Sequence, residues 1–393
     1  MRLSLALPFA LLACSQTVST AATSDVPRGD DRPPAQDAPA QDAGSPALDA
    51  ATPPPEDAGT PPPEDAVTPP PEDVPVEPAE DVPPGAPGDY AGNGPLPLRT
   101  LQAMFTAPPS TGCRGSLCNV VVSVTLPARG VEGRMAPWPL AVFSPGFSTP
   151  SSAYAVTAGR LASWGYVVLR YDLQGENFLN ASTHDALANT HGALIDWARA
   201  QGESGMLRGL VDASRVVAEG HSRGGKVAAL AATRDARILA VVGLDPVDAP
   251  PPLQMPSDAY PLASARLRAL DREVPIAVIG AEFGGRSSLG MPCAPTQYNY
   301  ATFFDAARGP GLEVVIREAG HGQFVDDDRT AATSAALCPA GSAMNETVRS
   351  VSRTLLVAWA ERAMRGADVT PWVRGAWLQA RVMDRTLSSV RRR

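Results

Sequence analysis

Residues 216–226, Val-Val-Ala-Glu-Gly-His-Ser-Arg-Gly-Gly-Lys, restrict what this chain can fold into more than any other stretch. An apolar run stops at Gly-x-Ser-x-Gly, and a small-residue helical run over 227–232 follows at once. Strand, tight turn and helix in that order make a nucleophile elbow, where a strained turn lifts a serine hydroxyl clear of the sheet edge. Gly220 and Gly224 stand two residues either side of Ser222, where a side chain would collide with neighbouring backbone. Gly225 lets the helix pack close.

An elbow needs a sheet around it. Near-continuous apolar runs at 119–126, 139–144, 166–172, 215–220, 240–244, 275–281 and 312–317 read as strands covered on both faces. Helical patterns fall between or after them at 152–163, 185–200, 225–233, 300–307 and 345–364. Strands alternating with helices predict an α/β protein with a mostly parallel, doubly wound sheet. Its site is expected at the carboxyl ends of the strands.

The first quarter of the chain is different. Met1-Arg2 and the apolar run 3–12, too short to span a membrane as a mature helix, read as a signal segment over 1–13. Leu11-Leu12-Ala13-Cys14 resembles a bacterial lipobox, which implies cleavage before Cys14 and lipid on its sulfur and amino group. Several acyl chains would anchor the protein in a cell envelope without a spanning helix. Ser15 is compatible with sorting to the outer membrane. Residues 14–93 read as a stalk in which Thr-Pro-Pro-Pro-Glu-Asp recurs from Thr52, Thr60 and Thr68. Proline triplets favour extended polyproline II, acidic pairs repel, and little apolar surface is present to drive folding. The remaining 94–393 suit one large domain.

Residues 15–92 hold 16 of the chain's 41 acidic residues and two of its 33 basic ones. The net charge of −8 therefore belongs to the stalk, and the domain is mildly basic through arginine, with Lys226 the only lysine. No dense basic run with interleaved aromatics occurs, which argues against a nucleic-acid partner. The final Arg391-Arg392-Arg393 is expected to be a frayed, solvated end. Four cysteines follow Cys14. In an exported chain an even count suggests disulfides: Cys113 with Cys118 in a local loop, leaving Cys293 with Cys338 to staple the segment around His321. No Cys or His pair has zinc-ligand spacing, so no metal is expected.

Four histidines make the search for a base short. His221 sits inside the elbow, and His184 and His191 lie in or near a helix with no cluster, so these read as structural. His321, in Glu-Ala-Gly-His-Gly after the run 312–317, is a loop imidazole over a strand end, late in chain order, where a base for Ser222 belongs. The orienting carboxylate has two candidates that end strands, Asp245 and Glu282; Asp248 is a poorer third, and position does not separate the first two. Two backbone amides should hold the oxyanion: Arg223, after the nucleophile, and Phe147, in Ser144-Pro-Gly-Phe147 after an early strand. Phe147, Phe283 and Phe324 are candidate pocket walls.

Taken together these segments resemble an α/β hydrolase of the chlorophyllase type. The resemblance runs from about residue 115 to 365. It is carried by Gly220-His-Ser-Arg-Gly-Gly-Lys226 and Asp245-Pro-Val-Asp248, then by 275–280, Pro292-Cys-Ala-Pro295, Asn299, Phe303-Phe304, Gly320-His321, Asp326-Asp327 and Cys338. It implies an α/β-hydrolase fold, a serine hydrolase cleaving a carboxylic ester without metal or cofactor, and Asp245 as the acid. Ser144-Pro-Gly-Phe147 departs from that family's His-Gly and is similar to the loop of bacterial polyester hydrolases and cutinase-like lipases. The implied substrate is therefore a bulky or lipid-like ester, not chlorophyll alone.

Overall fold

The computed structural model describes residues 88–287 and 292–393. The signal segment, Cys14 and the stalk up to residue 87 lie outside the described residues. Along the chain run β1 (Leu98–Thr106), β2 (Asn119–Pro127), β3 (Trp138–Ser144), α1 (Ala155–Ser163), β4 (Val167–Leu173), α2 (His184–Ser204), β5 (Val211–His221), α3 (Arg223–Ala232), β6 (Ile238–Leu244), α4 (Ala263–Ala269), β7 (Ile276–Ala281), α5 (Tyr300–Ala306), β8 (Gly311–Ile316), α6 (Asp328–Ser334), α7 (Asn345–Arg365), α8 (Thr370–Val373), α9 (Ala376–Met383) and β9 (Leu387–Arg392).

The strands form one sheet in the order β1-β2-β4-β3-β5-β6-β7-β8-β9. From β4 to β8 every neighbouring pair is parallel; β1, β2 and β9 attach antiparallel. Each apolar run expected to be a strand is one, although Asn119, Val121 and Ser123 leave one face of β2 half-exposed. Every residue of β3, β7 and β8 is buried. The pleat explains why: in β3, Leu140 and Val142 pack with α2–α5 on one face, while Ala141 and Phe143 pack with α1 and α7 on the other. The chain leaves β3 for β4 on one side and returns through α2 to β5 on the other. The loops diverge there and leave a crevice at the carboxyl ends.

Several features depart from the sequence reading. β1 and β9 were not anticipated, because only Leu101, Ala103 and Phe105 of β1 and Leu387 and Val390 of β9 turn inward enough to pack, among polar neighbours. The C-terminal arginines are not frayed. β9 covers the β8 edge, and Arg391 meets the buried Glu313 at 2.6 Å and Asp305 at 2.7 Å, so a carboxylate taken from water receives its counter-ion. Packing also begins before residue 94: Tyr90 is buried 4.9 Å from the Trp164 ring and 4.7 Å from that of Trp372. Both disulfides are formed, Cys113–Cys118 and Cys293–Cys338, with Cα separations of 5.1 and 5.6 Å.

One buried carboxyl group is unpaired among the described residues. Glu219, in the central strand β5, is 1% exposed, and neither carboxyl oxygen has a hydrogen-bond partner. Burial alone pushes its carboxyl up to about 8 from an ordinary 4.5. Between those values the folded chain holds a proton that the unfolded chain has lost, so this residue's contribution to stability falls as pH rises through that window. Glu219→Gln removes the ionisation. Relative to the parent it is expected to be near neutral at pH 5 and more stable by about 2–4 kcal/mol at pH 8, read from urea midpoints at both pH values.

Candidate active site

β5 ends at His221 and α3 starts at Arg223, which leaves Ser222 as the whole turn, at φ 56° and ψ −124°. A non-glycine residue there is strained, and the strain is held by contacts on every side. The three glycines of the motif answer to close approach. A Cβ on Gly220 would lie 2.3 Å from the Gly224 carbonyl, one on Gly224 1.9 Å from the Ser144 oxygen, and one on Gly225 2.6 Å from Pro246 Cβ. The backbone is thereby pressed against β3 and against the residues after β6, and the hydroxyl of Ser222 faces the carboxyl rim.

His321 arrives from the loop after β8. Its Nε2 lies 2.8 Å from Ser222 Oγ, and its Nδ1 lies 2.6 Å from Asp245 Oδ2. Asp245 follows β6 at φ 38° and is fully buried. Its Oδ1 accepts the Ala281 amide at 2.9 Å, so both oxygens are committed. With Nδ1–H donated to Asp245, Nε2 is left as the acceptor facing the hydroxyl. Glu282, the alternative acid, is exposed and accepts the Glu318 amide at 2.7 Å. It ends the strand next to β6, but its carboxylate closes a turn and does not reach the imidazole. Asp248 is also elsewhere: it accepts the Ala263 and Ser264 amides at the start of α4 and lies 3.7 Å from Lys226 Nζ. Lys226, fully buried, donates to the Asp248 and Ala249 carbonyls at 2.7 and 3.3 Å. Burial pulls its ammonium down to about 8, and Asp248 opposes that pull.

The loop bearing His321 is pinned at several points. Gln323 Oε1 accepts the Gly320 and Gly341 amides at 2.6 and 3.0 Å, and Asp326 accepts the Thr157 amide and hydroxyl of α1 and meets Arg353 of α7 at 2.9 Å. The Cys293–Cys338 bridge ties the next segment down. Below the imidazole, His221 Nε2 donates to the His321 carbonyl at 3.0 Å, Tyr154 donates its hydroxyl to His221 Nδ1 at 2.8 Å, and the Gly146 amide donates to the Tyr154 oxygen at 3.3 Å. Burial, reinforced by the neighbouring His321, keeps His221 well below the ordinary histidine range and therefore neutral. His191 bonds Ser144 Oγ at 3.1 Å and is lowered by burial to about 4; His184 packs edge-on to Tyr260 and is lowered to about 2. Both are packing residues.

Among the described residues, the amides of Phe147 and Arg223 enter no hydrogen bond within the protein. Arg223 opens α3, where the helix dipole favours negative charge. Its guanidinium lies 5.0 Å from the Phe147 ring and is held by Glu176 through bonds of 2.8 and 2.9 Å. A cavity of about 350 Å³ opens beside it, walled by Ser148, Thr149, Tyr171, Glu176, Asn177 and Arg223. Phe178, 75% exposed, stands 6.1 Å from the Phe147 ring, and neither ring lines this cavity. The expected wall Phe324 is instead buried, stacked on His221 at 5.8 Å, because the short helical turn after His321 points its ring into the core. Phe283 is half-buried under the Arg286 guanidinium and does not line this cavity. Glu176, Tyr154 and Gln323 were not anticipated. Each acts on a partner distant in sequence or through the backbone, and no local motif marks them.

The chain has known relatives. It is 29% identical over 208 residues to Chlorophyllase-2 of Arabidopsis thaliana, covering 49% of this chain and 62% of that protein. It is 27% identical over 284 residues to Chlorophyllase-1 of the same plant, covering 69% of this chain and 81% of that one. The matched stretch thus spans less than two thirds of the first relative's length. A family model described as Chlorophyllase matches residues 123–371, which takes in the sheet from β2 to β8, the elbow and the His321 loop. By that match, over more than half its length, the chain belongs to the chlorophyllase family of α/β hydrolases.

Proposed function

We propose that this protein is a serine carboxylic-ester hydrolase acting on a bulky or lipid-like ester. The observation that carries the reading is the continuous hydrogen-bonded line from Asp245 through His321 to Ser222 at 2.6 and 2.8 Å, at the carboxyl ends of the strands. Ser222 Oγ attacks the ester carbonyl as His321 Nε2 takes its proton. The tetrahedral oxyanion is held by the Phe147 and Arg223 amides. Nε2 then returns the proton to the leaving alcohol, and the acyl group stays on Ser222. Water, deprotonated by the same nitrogen, releases the acid. Asp245 holds the tautomer and stabilises the imidazolium. The names of the plant relatives point to a chlorophyll-like ester, whereas the Ser-Pro-Gly-Phe147 loop and the exposed Phe178 beside the Phe147 ring favour an extended lipid or polyester chain. We place the protein in a bacterial envelope, anchored by lipid at Cys14, on the lipobox-like segment alone. A fluorophosphonate probe is expected to label the parent at one site and to be blocked by a turned-over ester; an unlabelled protein would mark a non-catalytic surface binder on the same scaffold. Rates on a triglyceride, a polyester film and chlorophyll then rank the substrates.

A further inference from the structure

We propose that Glu176 is a positioning residue of this site, fixing through Arg223 the two amides assigned to the oxyanion. The inference rests on the serine-hydrolase reading above.

Arg223 offers its backbone N–H to the site, and its side chain then crosses to the ring of Phe147, the residue offering the other N–H. A guanidinium on three methylenes is ordinarily solvated and mobile. This one is 8% exposed. Glu176 grips it with two parallel bonds at 2.8 and 2.9 Å, a fork geometry that sets direction as well as strength. The carboxylate is itself anchored. The Glu176 amide donates to the Leu173 carbonyl at the end of β4 at 3.2 Å, and its Oε1 accepts the Ser182 amide at 3.3 Å. A rigid line therefore runs from the end of β4, through an ion pair, to the first residue of α3 and onto the ring of the loop after β3. Phe178, on the Glu176 loop, adds a second ring beside Phe147. Glu176 touches no reacting atom; it acts on aim. Oxyanion donors must point at an atom about 2.7–3.1 Å away. A displacement of about 1 Å costs on the order of 10²-fold in rate.

The test is a double-mutant cycle of Glu176→Gln, Arg223→Gln and both, on a p-nitrophenyl ester, with rates normalised to sites titrated by a fluorophosphonate so that unfolded protein is not counted. An alkyl boronic acid, which forms a tetrahedral adduct on the serine, reports the oxyanion site directly. Glu176→Gln is expected to lower kcat about 10- to 100-fold with KM within about threefold, and to weaken the boronate by the same factor. The double variant should be no worse than the poorer single one. The proposal is overturned if Glu176→Gln leaves kcat within about twofold, if boronate affinity is unchanged, or if the two losses multiply. Should Glu176→Gln not fold, Glu176→Asp keeps the charge one methylene short; a partial kcat loss at constant KM supports the proposal and an unchanged kcat overturns it. A parent that fails to label takes down both readings, whereas a labelled parent indifferent to Glu176 takes down only this one.

Discussion

Ser222→Ala is expected to lower kcat on a p-nitrophenyl acyl ester by about 10⁵- to 10⁶-fold, with KM moved only a few-fold. Among the described residues, the hydroxyl aligned on His321 Nε2 is that of Ser222, at 2.8 Å. Alanine fits the strained φ of 56° no worse than serine, so the fold should survive and the loss can be read as chemistry. Adding His321→Ala to Ser222→Ala should cost almost nothing more, because the two act as one unit. The residual rate over water is then what the oxyanion amides and substrate binding supply. Steady-state rates on protein of matched melting temperature decide the matter: a Ser222→Ala protein hydrolysing the ester at the parent rate would exclude the assignment.

The second large effect separates two carboxylates. Asp245→Asn is expected to lower kcat by about 10³- to 10⁴-fold near pH 7, because an amide in place of Oδ2 turns the imidazole to the wrong tautomer while leaving an oxygen for the Ala281 amide. Glu282→Gln should change kcat by less than about twofold, since Glu282 is exposed and serves only the Glu318 amide. Comparable modest losses in both variants would mean that neither orients the base.

That contrast also shows where the sequence stops being readable. Apolar runs such as 139–144 and 275–281 are legible because a strand buried on both faces tolerates few polar residues. The elbow is legible because close backbone contact demands glycine at 220, 224 and 225. Asp245 and Glu282 look alike because each ends a strand on the same rim, and only the backbone turn after the strand decides which carboxylate meets His321. β1 and β9 escaped notice since an edge strand buries one side and reads as polar. Phe324 was misjudged because proximity to His321 in sequence says nothing about which way a ring points from a helical turn. Glu176 is the plainest case: its partner lies 47 residues on, and nothing in its own loop announces an ion pair.

The burial of Lys226 has a chemical consequence of its own. It is the chain's one ε-amine, and it is sealed from solvent beneath the elbow. Reagents that acylate amines, among them activated acyl donors of the kind an esterase turns over, find no side-chain nucleophile of that type on the outside of the folded domain. Coupling chemistry aimed at amines would leave the catalytic body unmodified.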